Sequence, residues 1–107
     1  MNTEVSQNIS AAAAFLQNDE LVAIPTETVY GLAGNAFSEK AVKSIFETKQ
    51  RPHYNPLILH FAEKEMMKDF AIDVPDEAQE LMKTFWPGPL TLVLPKSNKI
   101  SDLVSGN

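Results

Sequence analysis

Three short apolar runs, at residues 21–24, 57–61 and 90–94, are the feature that most limits how this chain can fold. Leu21, Val22, Ala23 and Ile24 form a continuous apolar stretch, the pattern of a strand covered on both faces. Leu57, Leu59 and Phe61 alternate with Ile58 and His60, which places His60 beside Ile58, opposite the larger apolar set. Residues 90–94 read as a third strand. Between the runs the apolar period becomes helical. Asn8 or Ser10 caps a first helix through Ala11, Phe15 and Leu16, closed at Asn18-Asp19. Ser38 opens a second, with Ala41, Val42, Ile45 and Phe46 on one face and Lys40 and Lys43 on the other. Residues 63–70 form a short helix. Asp73-Val74-Pro75-Asp76 starts another with Ala78, Leu81, Met82 and Phe85 turned inward, and Trp86-Pro87-Gly88-Pro89 ends it. Strands separated by helices predict an α/β layer with helices on the sheet faces.

The bulk numbers narrow the class. At 107 residues the chain is one domain at most, or part of one, and its hydrophobic fraction of 44% excludes wholesale disorder. It contains no cysteine, so disulfides, thiolate nucleophiles and Cys-based zinc sites are excluded; this fits a cytoplasmic setting. Fourteen acidic residues against nine basic give a net charge of -5, which argues against nucleic-acid binding driven by bulk charge. The early apolar run at residues 11–16 is too short to span a bilayer, and no membrane anchor is expected. Residues 100–104 begin a further element, and Ser105-Gly106-Asn107 reads as the middle of a domain.

Two stretches carry the chemistry. Pro25-Thr26-Glu27-Thr28-Val29-Tyr30-Gly31-Leu32 leaves the first strand with hydroxyls and a turn. Those hydroxyls either satisfy their own backbone or line a rim where open α/β sheets bind ligands. Alternation would set Thr26, Thr28 and Tyr30 on one face and Glu27 and Val29 on the other. Lys49-Gln50-Arg51-Pro52-His53-Tyr54-Asn55-Pro56 enters the second strand with two cations and an amide. It is either a solvated basic loop or a phosphate site, with Arg51 as a two-donor fork, Lys49 as a point charge, and Asn55 able to read a base or phosphate. His60 is either a hydrogen-bonded strand residue or a site residue. The spacing of a P-loop, a dinucleotide-binding glycine motif, a nucleophile elbow and a zinc site are all missing.

Taken in order, Pro25 to Leu32, Lys49-x-Arg51-Pro52 with Asn55-Pro56-Leu57, His60, and Phe85-Trp86-Pro87-Gly88-Pro89-Leu90-Thr91 resemble the YrdC-like family of threonylcarbamoyl-AMP synthases. The resemblance runs from about Leu21 to the end and implies an open twisted α/β sheet with helices packed on its faces. It also implies that residues 1–107 are a partial domain, lacking a C-terminal part that holds a Ser-x-Asn motif. The activity it implies makes threonylcarbamoyl-AMP and pyrophosphate from L-threonine, bicarbonate or CO2, and ATP, with Mg2+ carried by the nucleotide. A separate complex then transfers the threonylcarbamoyl group to tRNA. By position, Thr28 and His60 would contact threonine, while Lys49, Arg51 and Asn55 would bind ATP, Lys49 and Arg51 acting on the phosphates. The alternative is an RNA-binding module of the same type, using Lys40, Lys43, Lys49 and Arg51 on a basic face.

Overall fold

The computed structural model describes residues 3–106. Its elements, in order, are α1 (Ile9–Gln17), β1 (Val22–Pro25), β2 (Tyr30–Ala33), α2 (Glu39–Lys49), a 3₁₀ helix (Lys64–Asp69), α3 (Asp76–Phe85) and α4 (Asp102–Ser105). The fold is mixed α/β, with helices around a small antiparallel sheet.

Helix starts follow the capping chemistry in the sequence. The Asn8 side chain accepts from the Ala11 N–H at 3.0 Å, and Ser38 accepts from the Ala41 N–H at 3.2 Å. Asp76 and Glu77 occupy the first turn of α3 and Lys83 the last, each favourably placed against the helix dipole. In α2 the expected stripe is the core face: Ala41, Val42, Ile45 and Phe46 are all buried. Val42 and Phe46 join Phe70, Ile100 and Val104 in the main cluster, with Leu57, Leu59, Phe61 and Leu103 packed against it. In α3 only half of the predicted stripe is covered: Ala78 and Met82 are buried, whereas Leu81 and Phe85 are exposed.

The sheet departs from expectation in three respects. First, β1 is not covered on both faces; burial alternates along it, and Ala23 and Pro25 are exposed. Second, its partner is β2, in the register Val22↔Ala33 to Pro25↔Tyr30. Gly31 therefore lies within a strand and not in a turn. Pro25 sits in the final pair, where the N–H it lacks is not needed further along the ladder. Third, residues 57–61 and 90–94 are extended but enter no ladder among the described residues. Their alternation is nonetheless real. Leu57, Leu59 and Phe61 face inward while Ile58 and His60 face out, and Leu90, Leu92 and Leu94 are likewise more covered than Thr91 and Val93. Side-chain period encodes which face is apolar; it does not supply the neighbour that pairing requires.

Other contacts tie these parts together. Gly34 follows β2, and an added Cβ there would lie 3.0 Å from Leu21 Cδ2 and 3.3 Å from Ile45 Cδ1, so the chain leaving the hairpin passes close to α2. The chain after the 3₁₀ helix meets residues 95–97 through an isolated Ala71↔Lys96 bridge and a Ser97 N–H to Phe70 O bond of 2.8 Å. Asp69 and Lys99 close that junction at 2.9 Å.

Candidate functional site

The loop leaving α2 is shaped by the way that helix ends. Gln50 takes a left-handed conformation (φ 51°), its N–H bonding to Glu47 O and Phe46 O, and the Arg51 N–H returns to Phe46 O at 2.9 Å. The chain is thereby turned out of the helix axis at Arg51. A turn follows, closed by the Asn55 N–H to Pro52 O bond of 3.0 Å. His53 lies on the ring of buried Phe46, with centroids 4.9 Å apart. Across the loop, Arg51 Nη2 donates to Pro56 O at 2.8 Å, while Nε is buried without a hydrogen-bond partner. The guanidinium is thus held by its own loop instead of lying free in solvent. Lys49, on the last turn of α2, is exposed.

Residues 26–29 connect β1 to β2. The Thr26 N–H donates to Val29 O at 3.0 Å, and the Thr26 hydroxyl donates to the same carbonyl. Thr26 thus follows the first alternative, spending its hydroxyl on its own turn. Strand alternation does not apply here, because the segment is the tip of a hairpin. Thr28 lies exposed at that tip.

Between the extended segments lies an open cavity of about 480 Å³. Phe61, Phe70, Ile100 and Val104 contribute from the core side, His60 and Glu27 from the rim, and Trp86 and Gly88 form a wall. Trp86 is fixed by an Nε1–H bond to Leu90 O at 2.8 Å and by edge-on contact with Phe61, centroids 5.3 Å apart. A second concavity of about 460 Å³ shares His60, Trp86 and Gly88 and extends towards Glu63 and Glu65. His60 is exposed at the meeting of the two.

The structure therefore brings His60 onto the same cavity as Glu27, the neighbour of Thr28. Arg51 and Asn55 stand on the adjoining loop, which enters the cavity lining at Pro56 and Leu57, and Lys49 stands on the last turn of α2 just before it. Glu27 was not among the site residues expected from sequence, whereas the Trp86-Pro87-Gly88-Pro89 turn, read there as a packing turn and a cleft wall, does line this cavity. The signal for Trp86 was present, since a large aromatic locked between a helix end and two prolines has little freedom to turn away. Among the described residues no group of three or more His, Asp or Glu side chains is placed to hold a metal ion. No described helix is long and apolar enough to cross a membrane.

An exposed histidine thus stands over an aromatic-walled cavity, with a cation-bearing loop beside it, the kind of concave and largely apolar surface in which small ligands are bound. Residues 14–107 match the sequence profile Sua5_yciO_yrdC, described as "Telomere recombination", and the chain belongs to that Sua5/YciO/YrdC family. It is 55% identical over 98 residues to the threonylcarbamoyl-AMP synthase of Pyrococcus abyssi, covering 92% of this chain and 29% of the relative. It is 53% identical over 95 residues to the synthase of Bacillus subtilis, covering 86% of this chain and 28% of that one. Among solved structures, the P. abyssi Sua5 complexed with L-threonine superposes with a TM-score of 0.87 at 55% identity, over 90% of this chain and 28% of that one. This chain thus spans less than a third of the length of these relatives.

Proposed function

We propose that this chain is part of an L-threonylcarbamoyladenylate synthase, and that residues 1–107 form part of its catalytic domain. In this reading the threonine amine takes up CO2 with loss of a proton, or bicarbonate with loss of water, to give a carbamate. A carbamate oxygen then attacks the α-phosphate of ATP, the bond to the β-phosphate oxygen breaks, and pyrophosphate leaves. The product, threonylcarbamoyl-AMP, is consumed by a separate cytoplasmic complex that modifies tRNA. Charge builds on phosphoryl oxygens along this path, so fixed cations and positioning provide the catalysis and no protein nucleophile is required. Mg2+ arrives on the nucleotide.

Arg51 meets the phosphates with the edge of its guanidinium that Pro56 does not occupy, Lys49 adds a point charge, and Asn55 contacts the nucleotide. Thr28 and His60 contact threonine at the cavity mouth. The observation that carries the reading is the placement of His60 on an open cavity, in a chain 55% identical to a relative solved with L-threonine. Of the four basic residues of the RNA alternative, Lys43 lies one helical turn from both Glu39 and Glu47 on α2, and no uniform basic stripe results.

The test is pyrophosphate release by the full-length protein. Release from ATP should require both threonine and bicarbonate; release indifferent to threonine would remove the synthase reading.

A further inference from the structure

We propose that Gly106, in the turn after α4, is a positioning residue for the loop of residues 49–56, holding the Arg51 guanidinium where a nucleotide phosphate meets it. The inference rests on the nucleotide reading of that loop and adds a residue to it from half the chain away. Gly106 has φ +84°, in the left-handed region where a side chain is strained. A Cβ at this position would lie 2.5 Å from Tyr54 O, 3.0 Å from Tyr54 C and 3.3 Å from Pro56 N. These are backbone atoms of the loop itself, which cannot swing aside as a long side chain would.

The contact is part of a continuous mechanical path. Val104 is buried in the main cluster, and its carbonyl accepts the Leu57 N–H at 2.8 Å, pinning the loop's exit to the core. Gly106, two residues on, leaves room for a side chain neither beside Tyr54 nor beside Pro56, and the Pro56 carbonyl in turn holds Arg51 Nη2 at 2.8 Å. Asn55 stands between these two residues. A side chain at 106 must push the loop backbone outward, carrying the Pro56 carbonyl with it and turning the guanidinium. His60 and the hairpin tip carrying Thr28 make none of these contacts.

Calorimetric titration of the full-length protein with ATP and with L-threonine, for wild type, Gly106→Ala and Gly106→Asn, tests the proposal. Asparagine tolerates a left-handed backbone better than alanine does, so the pair separates backbone strain from contact with the loop. Both variants should weaken ATP binding by about tenfold or more while L-threonine stays within about twofold. Hydrogen exchange should quicken at the Asn55 and Leu57 amides and stay unchanged in α3. A folded variant with wild-type ATP affinity and wild-type exchange at Asn55 overturns the proposal, as does an equal loss of both ligands. If neither variant folds, exchange in the wild type decides: ATP should slow the Leu57 and Val104 amides together, and slowing at Asn55 alone contradicts the clamp. A wild-type protein that binds no ATP removes the nucleotide reading instead. The exchange rates at Asn55 and Leu57 in the variants then still judge the contact.

Discussion

The two sides of this chain are built on different terms. On one, α2 lays Val42 and Phe46 against Phe70, Ile100 and Val104, and these side chains are almost wholly removed from water. On the other, residues 57–61 and 90–94 run extended around an open cavity, and Ile58 and Val93 are 61% and 97% exposed. Every residue assigned here to ligand contact lies on or beside the open side. Stability comes from the packed side, and the loops it anchors are left free to present polar groups.

That division can be broken by substitution, starting where the effect is largest. Phe46→Ala should cost about 3–5 kcal/mol in denaturant unfolding, because Phe46 is 1% exposed and its loss leaves a cavity. It should also loosen His53, which rests on its ring. A loss below about 1 kcal/mol would mean that the α2 face is not the centre of stability. Ser38→Ala removes the cap of the same helix and should cost about 1 kcal/mol by the same measurement. On the open side, Ile58→Thr should change stability by no more than about 0.5 kcal/mol, despite replacing a large apolar residue. A larger loss would show that this face is covered in the folded protein.

The smallest effect is a pH dependence. The ammonium of Lys99, hydrogen-bonded to Asp69, holds the Asp69 carboxyl below its ordinary range, and Lys68 adds to the effect. A carboxyl lowered on folding stabilises the folded state above its ordinary range, and that contribution is lost as pH falls through the lowered value. Thermal melts of wild type and Asp69→Asn should therefore differ slightly near neutrality and converge in acid. The pair is well exposed, so the difference is small. Divergence in acid would reverse the assignment.

What could be read from the sequence was whatever is encoded locally. The cap and stripe of α2 lie within a dozen consecutive residues, and they appear as expected. The faces of residues 57–61 were equally legible, since His60 and Ile58 are exposed opposite Leu57, Leu59 and Phe61. The pairing of that segment was not, because a ladder depends on what lies alongside. β2 was missed because Gly31 is a turn signal by composition and becomes a strand residue only through its partner Ile24. At the candidate site, the cations and hydroxyls were visible as residue types. The Arg51 to Pro56 bond, the Glu27 side of the cavity and the approach of Gly106 to Tyr54 arise only when distant stretches meet.

The central claim is that the Arg51 loop and the His60 rim hold two ligands at separable positions. It is tested most directly by calorimetry on the full-length protein with Arg51→Ala and His60→Ala, each titrated with ATP and with L-threonine. Arg51→Ala should lose ATP affinity and keep threonine, and His60→Ala should do the reverse, both with little change in melting temperature. Normal ATP binding by Arg51→Ala, or loss of both ligands in each variant, would contradict the account.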